Sequence, residues 1–507
     1  MKKTLALILA ALMLMPMAAC SGEEAAENDI QPSSGETEPA ETEPEILTDE
    51  YGRELVESAI PDELDFGGST VTIVSRPATS IFNCEYEFFV EEDSAEVVQS
   101  AVFNRNLETE NELGIDLNVE LIDHNAMMTN VRNSHAANDG AYDIISSYAY
   151  YGVQLAAEGI YYNLHKLPHI ALDKPWWSQN FVDEMTIYDQ LFFVSGDLSL
   201  TSVQCTHAIF FNKELLNTYY GDENLYEKVQ NGTWTVDYFQ NLVAGCYQDA
   251  NGNGRDEGDI YGVGVSGVSI PVDAYLDAFD LAVTTKNADG LPELTYNNEK
   301  TVNAFDKLYS LTFENEGSLL GPTTLDTYFM FQKKFLQSEM LFLIDLFQAT
   351  ESLRDMESDY GVLPMFKYEE AQKGYYTNAA DIYSVLSVAS ASMNLEATGA
   401  VFELMAQKSY EKVIPAYFEV SLKQKYSRGN LDADMYDIVL DGIRYNFGFV
   451  HSADIGNPIW IWRNLLTNQS KDFVSSYKAQ EKPAKKMLEK LLEKYQETAE
   501  LQSGTEE

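Results

Sequence analysis

The sequence predicts an α/β protein built as two lobes joined by a hinge, and three observations carry that prediction. At 507 residues the chain is too long for one compact core, and its 45% hydrophobic content supplies apolar material for more than one. The stretch from Ser69 to Leu121 reads as strand, helix, strand, the unit of a parallel sheet. The stretch Leu191 to Leu216, LFFVSGDLSLTSVQCTHAIFFNKELL, has an apolar run at Leu191 to Val194 and a polar break at Ser195-Gly196-Asp197. A second apolar run, Ala208 to Phe211, leads into a helix start with Asn212 as N-cap. A chain does this when it leaves one α/β lobe and enters another. The break then lies at the mouth of an inter-lobe cleft, where ligand sites form.

Charge and the N-terminus narrow the setting. The formal net charge is −48 and no basic stripe interrupts it, which excludes nucleic acid and anionic lipid surfaces as partners. Residues 1–20 form a leader: Lys2-Lys3 is its basic start, Leu5 to Leu14 its apolar segment, and Met17-Ala18-Ala19-Cys20 a processing site. The apolar segment is too short for a confident membrane span. Residues 21–50 are rich in Glu, Pro, Ser, Thr and Ala and contain no Lys or Arg. The expectation is a disordered acidic tether over 21–65, because such a composition cannot bury enough apolar surface to offset chain entropy. Cys84, Cys205 and Cys246 are odd in number and form no C-x-x-C pair, so they read as buried thiols rather than a disulfide framework.

From Phe66 the elements follow in order. Ser69 to Ser75 alternates as a strand. A helix over 94–113 stops at Gly114, and Ile115, Leu117, Val119 and Leu121 alternate in a second strand. A helix over 125–135, a strand at Tyr142 to Ser147, and a helix from Gln154 to Gly159 complete the first run. After the break, Thr235 caps a helix with Trp234 as its hydrophobic staple. Gly262 to Ile270 reads as a strand and Asn298 to Thr312 as a helix. Strands follow at Met340 to Ile344, Asp359 to Met365 and Asp381 to Ala389, the last a candidate return hinge. Leu395 to Lys408 is helical, Glu411 to Leu440 holds further helices, and Met487, Leu488, Leu491, Leu492 and Tyr495 share one packing face of a final helix.

Asp249 to Asp259, DANGNGRDEGD, is the sharpest local motif. Asp249, Asn251 and Asn253 alternate as oxygen donors, Gly254 permits a tight turn, the Arg255 carbonyl can face inward and Glu257 can complete the shell, as in the first part of a calcium loop. Position twelve is Ile260, so the usual bidentate carboxylate is missing, with Asp259 as a substitute. The competing reading is a polar Asn-Gly turn. No cofactor is required, and a calcium ion here would rigidify a loop. There is no phosphate loop, dinucleotide-binding glycine pattern, nucleophile elbow or H-E-x-x-H, and the six His lack ligand spacing. A catalytic reading therefore gets little support.

Small residues directly before Cys20 resemble the lipobox of bacterial lipoproteins, in which the Cys carries lipid (palmitate among the acyl groups) at the mature N-terminus. With Tyr142-Asp143-Ile144-Ile145, Pro175-Trp176-Trp177, Ser195-Gly196-Asp197, Phe211-Asn212-Lys213, Asn231-Gly232-Thr233-Trp234-Thr235, Gly361-Val362-Leu363-Pro364 and Lys373-Gly374-Tyr375-Tyr376-Thr377, the chain resembles the extracellular solute-binding proteins of ABC importers. The group is the one that includes maltose-binding protein, and the matching segments span roughly residues 66–470. One departure is Gln337-Ser338-Glu339-Met340, where a Gly is expected before the Met.

The resemblance implies a two-lobed periplasmic-binding-protein-like fold with an inter-lobe hinge and ligand cleft. Lobe 1 would comprise 66–197 plus 376–455 and lobe 2 would comprise 198–375 plus 456–500. It implies no enzymatic activity. The expected role is a monomeric carrier, lipid-anchored outside the cytoplasm through Cys20, that captures a sugar, preferably an oligosaccharide, by hinge closure and delivers it to a membrane permease. By position, the expected ligand-binding residues are Tyr148, Tyr150, Trp176, Trp177, Asp197, Asp345, Phe347, Asp381, Tyr383 and Trp460, with rings for sugar faces and carboxylates for hydroxyls. The alternatives are a surface glycan-acting enzyme and a surface lipoprotein without a transport role.

Overall fold

The computed structural model describes residues 47–49, 53–61, 63–79, 84–324, 326–426 and 430–503. The leader, Cys20 and residues 21–46 of the expected tether lie outside the described residues.

Among the described residues eleven strands run β1 Ser69–Ser75, β2 Ile115–Leu121, β3 Ile144–Tyr148, β4 His207–Asn212, β5 Tyr261–Val265, β6 Thr284–Lys286, β7 Pro292–Leu294, β8 Ser318–Leu320, β9 Met340–Leu346, β10 Tyr360–Leu363 and β11 Ser384–Val388. They form two main sheets, one per lobe, of order β11-β3-β1-β2 and β10-β4-β9-β5-β8, plus the hairpin β6-β7. In the first, β1 lies parallel to β2 and β3, while β11 joins antiparallel to β3. In the second, β9 pairs antiparallel with β4 and parallel with β5. Every residue of β4 and β9 is buried, as expected of continuous apolar strands covered on both faces.

The first βαβ unit forms as its sequence dictates. Helix α1 (Val97–Leu113) ends at Gly114, which takes the left-handed φ of 59° while its N–H donates to the Glu110 carbonyl. Helix α2 (His124–Ala137) starts at Asp123, whose carboxylate accepts the Asn125 N–H. In the second lobe Asn212 caps Lys213–Tyr220 by accepting the Leu215 N–H at 2.9 Å. Thr235 caps Val236–Ala244, with Trp234 buried and donating to the Pro364 carbonyl at 3.0 Å. At the sequence departure before Met340, Ser338 takes the left-handed φ of 56° that a Gly adopts more cheaply. The strand still begins at Met340, because the Ser338 hydroxyl accepts a bond from Asn212 at 3.0 Å.

The chain passes from the first sheet to the second between Val194 and β4, and returns between β10 and β11. Several expectations shift. Leu191 to Val194 is not a strand: only Val194 bridges, to Leu386. Residues 153–158 form a 3₁₀ turn, and the strand expected over 262–270 stops at Val265, where Ser269–Ala278 becomes helical. Helix Asn430–Asp441, assigned to lobe 1, packs on β10 instead, with Tyr436 and Val439 buried among Phe347, Tyr360 and Val362. The final helix Phe473–Ser503 meets both lobes, touching Val153–Glu158 as well as Trp460–Thr467. The disorder expected up to residue 65 does not extend through the described part of that stretch. Thr48 bridges Glu54, Arg53 pairs with Asp49 and lies 4.5 Å over the Tyr410 ring, and Val56, Ile60 and Leu64 pack on the core. Cys84, Cys205 and Cys246 are buried free thiols. Among the described residues no helix is long and apolar enough to cross a membrane.

Candidate functional site

The carboxyl end of β3 and the start of helix Trp460–Thr467 bring together four of the expected site residues, Tyr148, Tyr150, Asp381 and Trp460. Tyr148 ends β3, and the short helix Ala149–Gly152 follows, carrying Tyr150 and Tyr151. The return crossing is tied to this corner. Ala149 N–H donates to the Tyr383 carbonyl at 2.9 Å, and Tyr150 N–H donates to the Asp381 carbonyl at 3.1 Å.

Across from it, the Trp460 ring lies nearly parallel to Tyr150, at an interplanar angle of 9° with centroids 6.2 Å apart. The Tyr150 hydroxyl donates to Asn457 Oδ1 at 2.8 Å. Trp460 keeps 39% of its surface exposed, an unusual allowance for so large a ring beside a buried core.

One helical turn beyond Trp460, Arg463 lies 5.8 Å from that ring. Its Nε donates to Asp273 at 2.9 Å, and its Nη2 donates to Asp273 and, at 3.3 Å, to Asp381. Burial works against the Arg463 charge, but the two carboxylates outweigh it and hold its pKa above the ordinary value. Burial pushes the Asp273 carboxyl up to about 6, with Arg463 opposing. Burial, then Tyr151 and Asp381, raise the Tyr150 hydroxyl, so it stays a neutral donor.

On the first-lobe side, His124 contacts Tyr148 at 5.1 Å and Tyr151 at 4.7 Å. Arg76 lies flat beneath Tyr148, 3.6 Å from the ring centre, and donates to the Ile382 carbonyl and the Ser384 hydroxyl. Burial and the Arg76 charge lower the His124 pKa, leaving a neutral imidazole at pH 7. The arrangement presents ring faces, a tyrosine hydroxyl and a fixed Asp–Arg–Asp network. It contains no nucleophile–base pair.

The other expected ligand residues lie elsewhere. Trp176 and Trp177 are fully buried, and their indole N–H groups donate to the two oxygens of Glu403 at 3.0 and 2.9 Å. They are core because a buried carboxylate needs donors: burial pushes Glu403 up to about 7, and these bonds with the Ala171 N–H hold it down. Asp345 is buried on β9, accepting from Gln332 at 2.9 Å, and Phe347 packs on Tyr436 in the second core cluster. Tyr383 is buried against Tyr445, so only its carbonyl serves the corner. Asp197 donates its backbone N–H to the Trp176 carbonyl at 2.9 Å, and its carboxylate feels the charge of Arg53 in the N-terminal segment. Burial pushes it up to about 7, with Arg53 opposing.

His124, Tyr151, Asp273, Asn457 and Arg463 join the cluster without having been expected. The W-x-x-R spacing from Trp460 to Arg463 was a legible signal of one helix face; nothing in the sequence marked Asp273.

The Asp249–Asp259 loop closes on itself. Asp249 accepts the N–H groups of Gly252 and Gly254, which adopt φ of 75° and 95°, and Asn251 accepts that of Asn253. Asp259, the expected substitute ligand, is committed to Ala250 N–H, Asp256 N–H and the Tyr247 hydroxyl. Among the described residues no group of three His, Cys, Asp or Glu is placed to hold a metal. A cation here would depend on Asp249, the Asn251 and Asn253 carboxamides, the Arg255 carbonyl and Glu257.

No protein-family model matches the chain, and no curated protein does. Solved structures do. A cyclo/maltodextrin-binding protein complexed with maltotetraose aligns at TM-score 0.55 with 10% identity, over 85% of this chain and 97% of that one. An ABC transporter solute-binding protein from Thermotoga lettingae, bound with α-D-tagatose, aligns at 0.53 with 13% identity, over 83% and 100%. An ABC substrate-binding protein from Listeria monocytogenes, in complex with cycloalternan, aligns at 0.51 with 13% identity, over 85% and 99%. The fold is that of the two-lobed, maltose-binding-protein-like solute receptors. In that fold the Tyr150–Trp460 pair joins the helix that follows β3 of the first sheet to a helix that packs on Ser269–Ala278, itself against β9 of the second.

Proposed function

We propose that this chain is the ligand-capturing component of an ABC importer, lipid-anchored outside the cytoplasm through Cys20. It takes a neutral carbohydrate, preferably an oligosaccharide, between its lobes and delivers it to a membrane permease as a monomer, without turnover. The observation that carries the reading is the Tyr150–Trp460 pair beside Asp381 and Arg463: near-parallel rings from opposite sides of the hinge next to a planar hydrogen-bonding network. Ring faces suit the apolar faces of a pyranose, and a network with fixed geometry suits its hydroxyls.

Arg463 is engaged by two carboxylates, so an anionic ligand gains no uncommitted cation from it, while Arg76 is buried beneath Tyr148 on the Ile382 carbonyl and the Ser384 hydroxyl, with its Nε left without a partner among the described residues. The sugar-bound relatives in fold support the ligand class. A calcium ion in the Asp249–Glu257 loop would play a structural part only.

The test is a thermal-shift screen followed by calorimetry with maltotetraose, maltose, tagatose and a uronic-acid oligosaccharide. A neutral sugar should raise Tm and bind reversibly with no new product. Stabilisation by the uronate alone, or by no sugar, overturns the assignment.

A further inference from the structure

We propose that the outer edge of β8, with the pocket beside it, is a docking surface for an extended basic segment of a protein partner.

Strand β8 is the last strand of the second sheet and, among the described residues, pairs only with β5. Gly317 and Gly321 bond toward β5, through the Gly317 carbonyl to Gly262 N–H and the Gly321 N–H to the Val265 carbonyl. Alternation then turns the Ser318 carbonyl and both main-chain groups of Leu320 outward, while the Ser318 N–H is taken up by the Asn315 carbonyl at 3.2 Å. The Ser318 carbonyl bears this out by accepting Arg255 Nη2 at 2.6 Å, while the Glu316 carbonyl accepts Nη1 at 2.7 Å. Arg255 is held there between Tyr247 and Tyr261, at 4.9 and 5.0 Å. The Asp249–Asp259 loop thus places a forked guanidinium where the donors of a next strand would lie. It covers only half of the edge. Leu320 turns its N–H and C=O the same way, and its side chain is 45% exposed.

Beside this edge is a pocket of about 810 Å³ with Phe313, Leu320 and Met330 on its apolar side. Its polar side carries Asp256, Glu257, Glu314 and Glu316 with Arg255 among them, four carboxylates to one guanidinium. Glu314 meets Lys471 at 2.7 Å and Asp256 accepts from Asn253, but Glu257 and Glu316 pair with no cation among the described residues. Ser318 is buried on the same wall, and its hydroxyl has no partner. Open main-chain groups, an apolar floor and an excess of carboxylates over cations together fit an added strand with alternating apolar and basic side chains. A second copy of a chain of net charge −48 would bring like charges to the same acids. The pocket shares no residue with the Tyr150–Trp460 cluster.

The probe is an eight-residue alternating Val-Lys peptide, compared with its Val-Glu counterpart, added to the full mature chain. Fluorescence anisotropy and amide hydrogen exchange give the readout. The Lys peptide should bind and protect the amide of Leu320, and Leu320→Pro should weaken it at least about tenfold, since proline removes that donor. Arg255→Ala, which frees the Glu316 and Ser318 carbonyls to accept from a longer stretch of the added strand, should tighten binding of the Lys peptide. Glu257→Gln with Glu316→Gln, a pair that leaves the backbone alone, should weaken binding and serves if Leu320→Pro does not fold. The sugar response of all variants should match the parent. Equal binding of the Glu peptide, unchanged exchange at Leu320, or concentration-dependent dimers of Arg255→Ala would overturn the proposal.

Discussion

Arg463→Ala tests the Asp273–Arg463–Asp381 network more sharply than any other change. Asp273 is buried, with its side chain 2% exposed, and Arg463 is 14% exposed. Removing the guanidinium strands a carboxylate that has already given up its water. Breaking a buried pair from one side costs about 3–5 kcal/mol. Because burial alone pushes Asp273 up, losing its partner pushes it further. The sign follows by linkage. A folded-state pKa above the unfolded value of about 3.9 means that the native state binds the extra proton between the two values. Stability is then lost as pH rises through the folded pKa, and the deficit of the variant should be smaller at pH 5 than at pH 7.5. Urea denaturation of parent and variant at both pH values measures this. Arg463→Met with Asp273→Asn, which removes both charges, should recover much of the loss. Sugar affinity should stay low in that double variant, because Asp381 has lost its anchor. A deficit under about 1 kcal/mol at pH 7.5, or one that is equal at the two pH values, refutes the reasoning.

Three further outcomes are expected. Trp460→Ala should cost less stability than loss of a fully buried Trp, about 1–2 kcal/mol in urea since the ring is 39% exposed, yet weaken sugar binding by about 1–3 kcal/mol, or roughly 5- to 150-fold in Kd by calorimetry. Trp176→Ala should do the opposite: a stability loss of about 3–5 kcal/mol in urea, with the affinity of the folded fraction retained. Adding calcium to chelator-treated protein should raise Tm by a few degrees, and Asp249→Ala should abolish that rise; an unchanged Tm would assign the loop to its own hydrogen bonds alone.

Local chemistry alone determined much of this protein. Gly114 stops α1, Asn212 and Thr235 cap their helices, and uniformly apolar stretches such as Phe342 to Ile344 become buried strands. These outcomes depend on neighbours within a few residues, so they are written in sequence order. The same logic marked the crossing near Asp197 and the tyrosines at the end of β3. Which aromatic faces a cleft is a different matter. Trp176 and Trp460 look alike in sequence, each beside a second Trp or nearly so. One is buried because Glu403, more than two hundred residues later, needs its N–H; the other stays half-open because its helix begins opposite Tyr150. Asp273 joined the site only because Arg463 folds against it. Hydrogen-bond demand and packing across long separations decided those assignments, and neither leaves a trace in local pattern, composition or charge.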